Sequence, residues 1–221
     1  MNRQIIKTVQ GKRAIDGAGV HLVRVLGNND VEDFDPFLML DSFDSANPDD
    51  YTKGFPFHPH RGIETITYLI SGEIDHRDSL GNAGRIGPGQ AQWMTAGSGI
   101  MHEEMPQAAD RMLGFQLWLN LPAHQKMEPP HYYDVTEDMI PAVQEGAATV
   151  RVIAGEYKGH KGASPLYVQA TLYDVELPQG KRITLDTKPE DNVFIFTILG
   201  DAEIEGRHVP EKTAALLGEG G

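Results

Sequence analysis

Turn-forming residues interrupt this chain so regularly that long helices are excluded. Ser71-Gly72, Ser79-Leu80-Gly81-Asn82, Gly87-Pro88-Gly89 and Gly97-Ser98-Gly99 each close off an apolar run. Glycine supplies the positive φ that a tight turn needs, and proline removes a backbone donor, so both punctuate regular elements. The runs between them have strand character: residues 20–26, 63–70, 73–78, 90–96 and 112–119. With 24 Gly and 14 Pro in 221 residues, the pattern predicts many short strands packed as a sandwich or barrel.

Two pairs of metal-binding side chains lie within these runs. His58 and His60 stand in FPFHPHRG, and His102 and Glu104 in GSGIMHEEMP. Residues i and i+2 of a strand point to the same face, so each pair presents two ligands in one direction. Two such strands together would hold one divalent ion with three imidazoles and a carboxylate, a site of net charge about +1 that attracts anionic oxygen. Fe, Mn, Ni, Cu, Co and Zn all accept such donors, and an octahedral ion keeps positions open. Glu103 has the wrong parity. Glu64 shares the parity of His60, so strand spacing alone leaves Glu64 and Glu104 both open as the carboxylate. Pro59, between the first two histidines, favours an edge near a pocket mouth.

Composition narrows the rest. There is no cysteine, which excludes disulfides and thiolate metal sites. The net charge of −13 argues against direct nucleic-acid binding through phosphates. No secretory signal pattern or apolar run of membrane-spanning length is present, so a cytoplasmic protein without membrane contact is expected, and a monomer. His21, His76, His124, His131, His160 and His208 have no ligand-spaced partner and are expected to be surface or core residues.

Residues 120–145 carry a proline-rich, acidic break that is expected to connect two domains, residues 1–135 and 136–221. The second half repeats the first in outline: FTILGDAEIEGR resembles ITYLISGEIDHRD. Aligning Gly72 with Gly200 places His58 on Asp186 and His60 on Lys188, so the second unit is expected to be metal-free.

HPHRGIETITYLISG resembles the first motif of the cupin superfamily, and with QWMTAGSGIMHEEMP and GFQLWLNLP it closely resembles the pirin family. The resemblance runs from about residue 17 to 218. It implies an all-β bicupin, two tandem antiparallel β-barrels of which the C-terminal one is incomplete in this chain. It also implies His58, His60, His102 and Glu104 as the metal ligands, with Glu64 the runner-up, and Fe(II) as the favoured ion.

The implied activity is cleavage of a flavonol such as quercetin by dioxygen with release of carbon monoxide, Glu104 serving as both ligand and general base. The implied alternative is an iron-dependent, redox-sensing regulator, nuclear in some members, that contacts transcription factors or metabolic enzymes. For a small aromatic or enolic substrate, Asp41, Phe43, Phe55, Phe57, Trp93, Met94, Gln116 and Trp118 are the expected pocket residues, combining aromatic walls with a few polar groups.

Overall fold

The structure, a computed structural model, describes residues 2–221. Its first half contains β1 (Ile5–Gln10), β2 (Lys12–Asp16), β3 (Val20–Leu26), β4 (Phe37–Ser45), β5 (Phe55–His60) and β6 (Ile63–Ser71). These are followed by β7 (Ile74–Asp78), β8 (Ala83–Ile86), β9 (Ala91–Thr95), β10 (Ile100–Pro106), β11 (Met112–Asn120) and β12 (His131–Val135). The second half has β13 (Ala142–Glu145), β14 (Ala148–Ala154), β15 (Glu156–Tyr157), β16 (His160–Lys161) and β17 (Leu172–Glu176). It ends with β18 (Val193–Phe196), β19 (Ala202–Ile204), β20 (Arg207–Val209) and β21 (Thr213–Leu217).

A seven-stranded sheet of order β12-β9-β6-β11-β4-β3-β2 faces a four-stranded sheet of order β5-β10-β7-β8. Every pairing in both sheets is antiparallel. The fold is the all-β tandem arrangement expected, but among the described residues no continuous ladder closes the two sheets into a barrel. Side chains join them instead.

β6 and β11 lie at the centre, and both their faces are covered. On β6, Thr65 and Thr67 face the four-stranded sheet, while Glu64, Ile66 and Tyr68 face the second half. On β11, Gln116 and Trp118 face inward and Leu117 and Leu119 outward. Gly114 lets β11 sit close to β6, since a Cβ there would lie 2.2 Å from the Tyr68 carbonyl oxygen.

The outer face of the large sheet packs on the second half. Val25, Leu26, Ile66, Trp93, Leu117 and Leu119 form one buried cluster with Ala154, Ala214 and Leu216. Each fully buried large side chain of this kind contributes about 1.5–3 kcal/mol. Polar contacts cross the same junction: the Tyr68 hydroxyl donates to Asp174 Oδ2 at 2.9 Å. The chain's two ends meet, because β1 pairs with β21 in a three-stranded sheet of order β1-β21-β18.

Two parts of the sequence reading change. Residues 131–135 are not a bare connection; alternating HYYDV adds β12 to the large sheet against β9. The likeness between the halves also has a limited structural basis. Gly72 and Gly200 both adopt positive φ, +91° and +70°, and each turns a strand of one sheet into a strand of another. Asp186 and Lys188 lie outside any strand, in an irregular stretch.

Candidate metal centre

β5 and β10 run side by side, with His58 directly opposite His102 and His60 opposite Ile100. This register brings the three imidazoles together, with ring centroids 4.5 Å apart for His58 and His102, 4.8 Å for His58 and His60, and 4.9 Å for His60 and His102. One ring nitrogen from each lies within 4.8 Å of the others. Beyond His58 the ladder shifts register by one extra residue on β5, while β10 stays in regular pairing with β7, and Glu104 Oε2 lies 3.9 Å from His102 Nε2.

The protonation states suit metal binding. The His58 Nδ1–H donates to the Pro56 carbonyl at 2.9 Å; a carbonyl can only accept, so Nε2 is the nitrogen left to face an ion. Burial, then the neighbouring His102 and His58, pull His60 down to about 3. Burial also lowers His102. Both rings are therefore neutral near pH 7. His60 Nε2 and both ring nitrogens of His102 are buried without a hydrogen-bond partner. Unpaired polar atoms of this kind are costly in an interior and are expected where an ion belongs.

Glu104 is fixed from the opposite sheet. Gln116 Nε2 donates to Oε1 at 2.9 Å and Oε2 at 2.8 Å, and the Thr67 hydroxyl donates to Oε1 at 3.0 Å. Burial would raise this carboxyl, but His102, Gln116, His58 and Thr67 outweigh it and hold Glu104 below its ordinary value. Trp118 Nε1 in turn donates to Gln116 Oε1 at 3.0 Å, which fixes the amide's orientation.

Glu64 is not in this group. The Arg61-Gly62 turn, with Gly62 at φ +69°, resets the alternation between β5 and β6 and sends Glu64 to the outer face. There it is fully buried and accepts from Thr95 Oγ1 at 2.8 Å. Glu103 points away as its parity requires and pairs with Arg77.

The expected pocket residues divide. Gln116 and Trp118 reach the triad, Trp118 meeting His60 edge-on at 5.0 Å. Met94 packs in a cluster that also takes Trp118. Phe55 lies 6.4 Å from the His58 ring and packs with Phe43 toward the apolar end of the sandwich. Asp41 is beside Gln116 in the ladder, but Arg24 engages its carboxylate at 2.9 and 2.7 Å. Phe57 is exposed, with the Arg77 guanidinium 5.3 Å from its ring centroid.

Trp93 must be corrected. It pairs with Ile66 and is sealed in the cluster facing the second half, on the wrong side of the sheet for the triad.

Two residues of this interior were missed. His76 is buried opposite Glu104 on β7, and Tyr132 packs against it with ring centroids 4.9 Å apart. Neither carries a short-range signal, because a contact between sheets leaves no mark on sequence spacing. A side alternation in HYYDV was the only trace.

The chain matches the family model described as Pirin over residues 19–119. It is 44% identical to a pirin-like protein of Caulobacter vibrioides, covering 99% of this chain and 80% of that one. Identity to human pirin is 37%, over 99% of this chain and 76% of the relative. A crystal structure of a quercetin 2,3-dioxygenase from Acinetobacter baumannii superposes with a TM-score of 0.87 at 32% identity, covering 99% of this chain and 80% of that one. A histidine triad built on a two-sheet β-fold, with relatives of this likeness along nearly its whole length, places this chain in the pirin family.

Proposed function

We propose that this protein is a metal-dependent dioxygenase that cleaves an enolic aromatic compound of the flavonol type, quercetin being the test case. One observation carries the reading: three imidazoles converge within 4.8 Å, with buried, unpaired nitrogens on His60 and His102 and an ionised carboxylate beside them. His58, His60, His102 and Glu104 would hold one divalent ion, with Fe(II) preferred. The role sits in residues 1–135, with residues 136–221 as a second, metal-free domain.

When bound, the metal supplies a Lewis acid that acidifies a coordinated hydroxyl and engages dioxygen. The protein's part is to receive and hold. His58 is the half-exposed member of the triad and lies on the edge strand, so a ligand can arrive from its side. Trp118 gives a flat wall beside His60. Glu104, kept ionised by its partners, can take the hydroxyl proton of the substrate. Gln116 and Thr67 keep the carboxylate in place during that transfer.

Anaerobic loading with Fe(II), addition of quercetin and exposure to air should yield carbon monoxide in step with flavonol loss, and His58→Ala should yield none. Absence of carbon monoxide from metal-replete wild-type protein refutes the dioxygenase reading and leaves redox-dependent binding of a protein partner as its successor.

A further inference from the structure

The edge of the large sheet closes over the interior through β12. Tyr132 is the cross-strand partner of Met94, so its ring enters the sandwich from the same side as Met94. It packs on the cluster of Ile63, Met94 and Ile100 that also carries Trp118, the ring that meets His60. Its other neighbour is His76, whose Nε2 lies 3.2 Å from Asp134 Oδ1.

The Tyr132 hydroxyl is sealed from solvent and makes no well-formed hydrogen bond, although the Gln92 side chain lies near enough to interact with it. Leaving such a group unpaired costs about 1–3 kcal/mol, and phenylalanine would fill the same volume without that cost. Three acceptors on this side of the sheet are already engaged. Glu104 takes Gln116 and Thr67; Asp134 faces His76 and takes a bond from Gln92 at 3.4 Å; Gln116 Oε1 takes Trp118. Burial, and after it the Glu104 carboxylate, push the phenol far above its usual range, so it remains a neutral donor. Tyr133 and Tyr157 also have unpaired hydroxyls, but Tyr133 lies on the outer face and Tyr157 in a second-half cluster. Among the described tyrosines, Tyr132 alone combines an unpaired hydroxyl with the triad's side of the sheet.

We propose that the Tyr132 hydroxyl is the hydrogen-bond donor for an oxygen of the enolate ligand held at the His58–His60–His102 site. This deepens the dioxygenase reading and rests on it for the presence of an oxygen ligand there. Gln116 Nε2 and the Thr67 hydroxyl serve Glu104, so neither is free for the ligand. Tyr132 is a ligand-positioning group. Enolic compounds that present an acceptor oxygen toward β12 are favoured over those that present hydrocarbon.

Zinc-loaded wild-type protein and Tyr132→Phe should be titrated with quercetin, with kojate as a small enolate, and with unsubstituted flavone. About tenfold weaker binding of the enolates by the variant is expected, with zinc content unchanged and Tm equal or higher because an unpaired hydroxyl has gone. Equal affinities in wild type and variant overturn the proposal. Kojate binding that depends on Tyr132, with no binding of quercetin, refutes the flavonol reading and upholds the role of Tyr132. Failure of both enolates to bind the wild type overturns both. A wild-type kojate complex tests the contact without any substitution: the hydroxyl should lie about 2.7 Å from a ligand oxygen, and a separation too long for a hydrogen bond overturns the proposal.

Discussion

Gln116 Nε2 spans both oxygens of Glu104, at 2.9 and 2.8 Å, from the sheet opposite the one that carries the glutamate. A single amide thereby ties β11 to β10 across the interior and sets the angle at which the carboxylate faces His102. Gln116→Leu removes that tie and leaves Thr67 as the remaining donor. Metal affinity should fall about 10- to 100-fold, the usual range for losing a group that orients a ligand. Competition against a chelator of known affinity measures it; an unchanged affinity would show that Gln116 does not orient the site.

The two buried glutamates should respond differently to the same change. Glu104→Gln should weaken metal binding by at least about tenfold and abolish turnover, because an amide is a poorer ligand and no base. Glu64→Gln should leave metal content and turnover near wild type. Its carboxyl is raised by burial and already satisfied in part by Thr95, so the neutral amide is a near substitute. Metal analysis of both purified variants separates the alternatives that strand parity left open.

Trp93 offers a test of side rather than of chemistry. Trp93→Ala should cost about 3–5 kcal/mol by opening the junction with the second half, seen as a lower midpoint in urea. The affinity of the folded variant for metal should be close to wild type. A selective loss of metal with normal stability would contradict its placement.

The metal-free protein should lose stability as acid is added, and His60 gives the window. Its folded value, about 3, lies below the ordinary value of 6.5. Between these values the unfolded chain takes up a proton on this residue and the folded chain does not. The stabilising contribution is therefore complete above about pH 6.5 and declines as pH falls toward 3. His60→Asn, free of a titrating ring, should flatten this part of the stability profile in chelator-treated samples. An identical slope in wild type and variant would show that His60 does not carry the dependence.

Much of this molecule is local in origin, and that part can be read along the chain. The alternation of Ile66, Thr67 and Tyr68, the turn at Ser71-Gly72, and the paired spacings of His58 with His60 and His102 with Glu104 are properties of a few consecutive residues. Strand geometry converts them directly into faces. The family resemblance adds which strands meet. What spacing could not supply depends on events between elements. The turn at Gly62 reversed the face of Glu64, and burial against the second half claimed Trp93.

His76 and Tyr132 belong to the triad's surroundings for the same kind of reason. They lie on β7 and β12, strands of different sheets that touch only when the sandwich closes. The sequence by itself determined the strands, their turns and the four metal-seeking side chains, because backbone sterics and a period of two act over a handful of residues. Tertiary structure decided which carboxylate joins the histidines, which aromatics line the site and which hydroxyl is left without a partner. Those outcomes depend on the packing of one sheet against another, and no spacing within a strand encodes it.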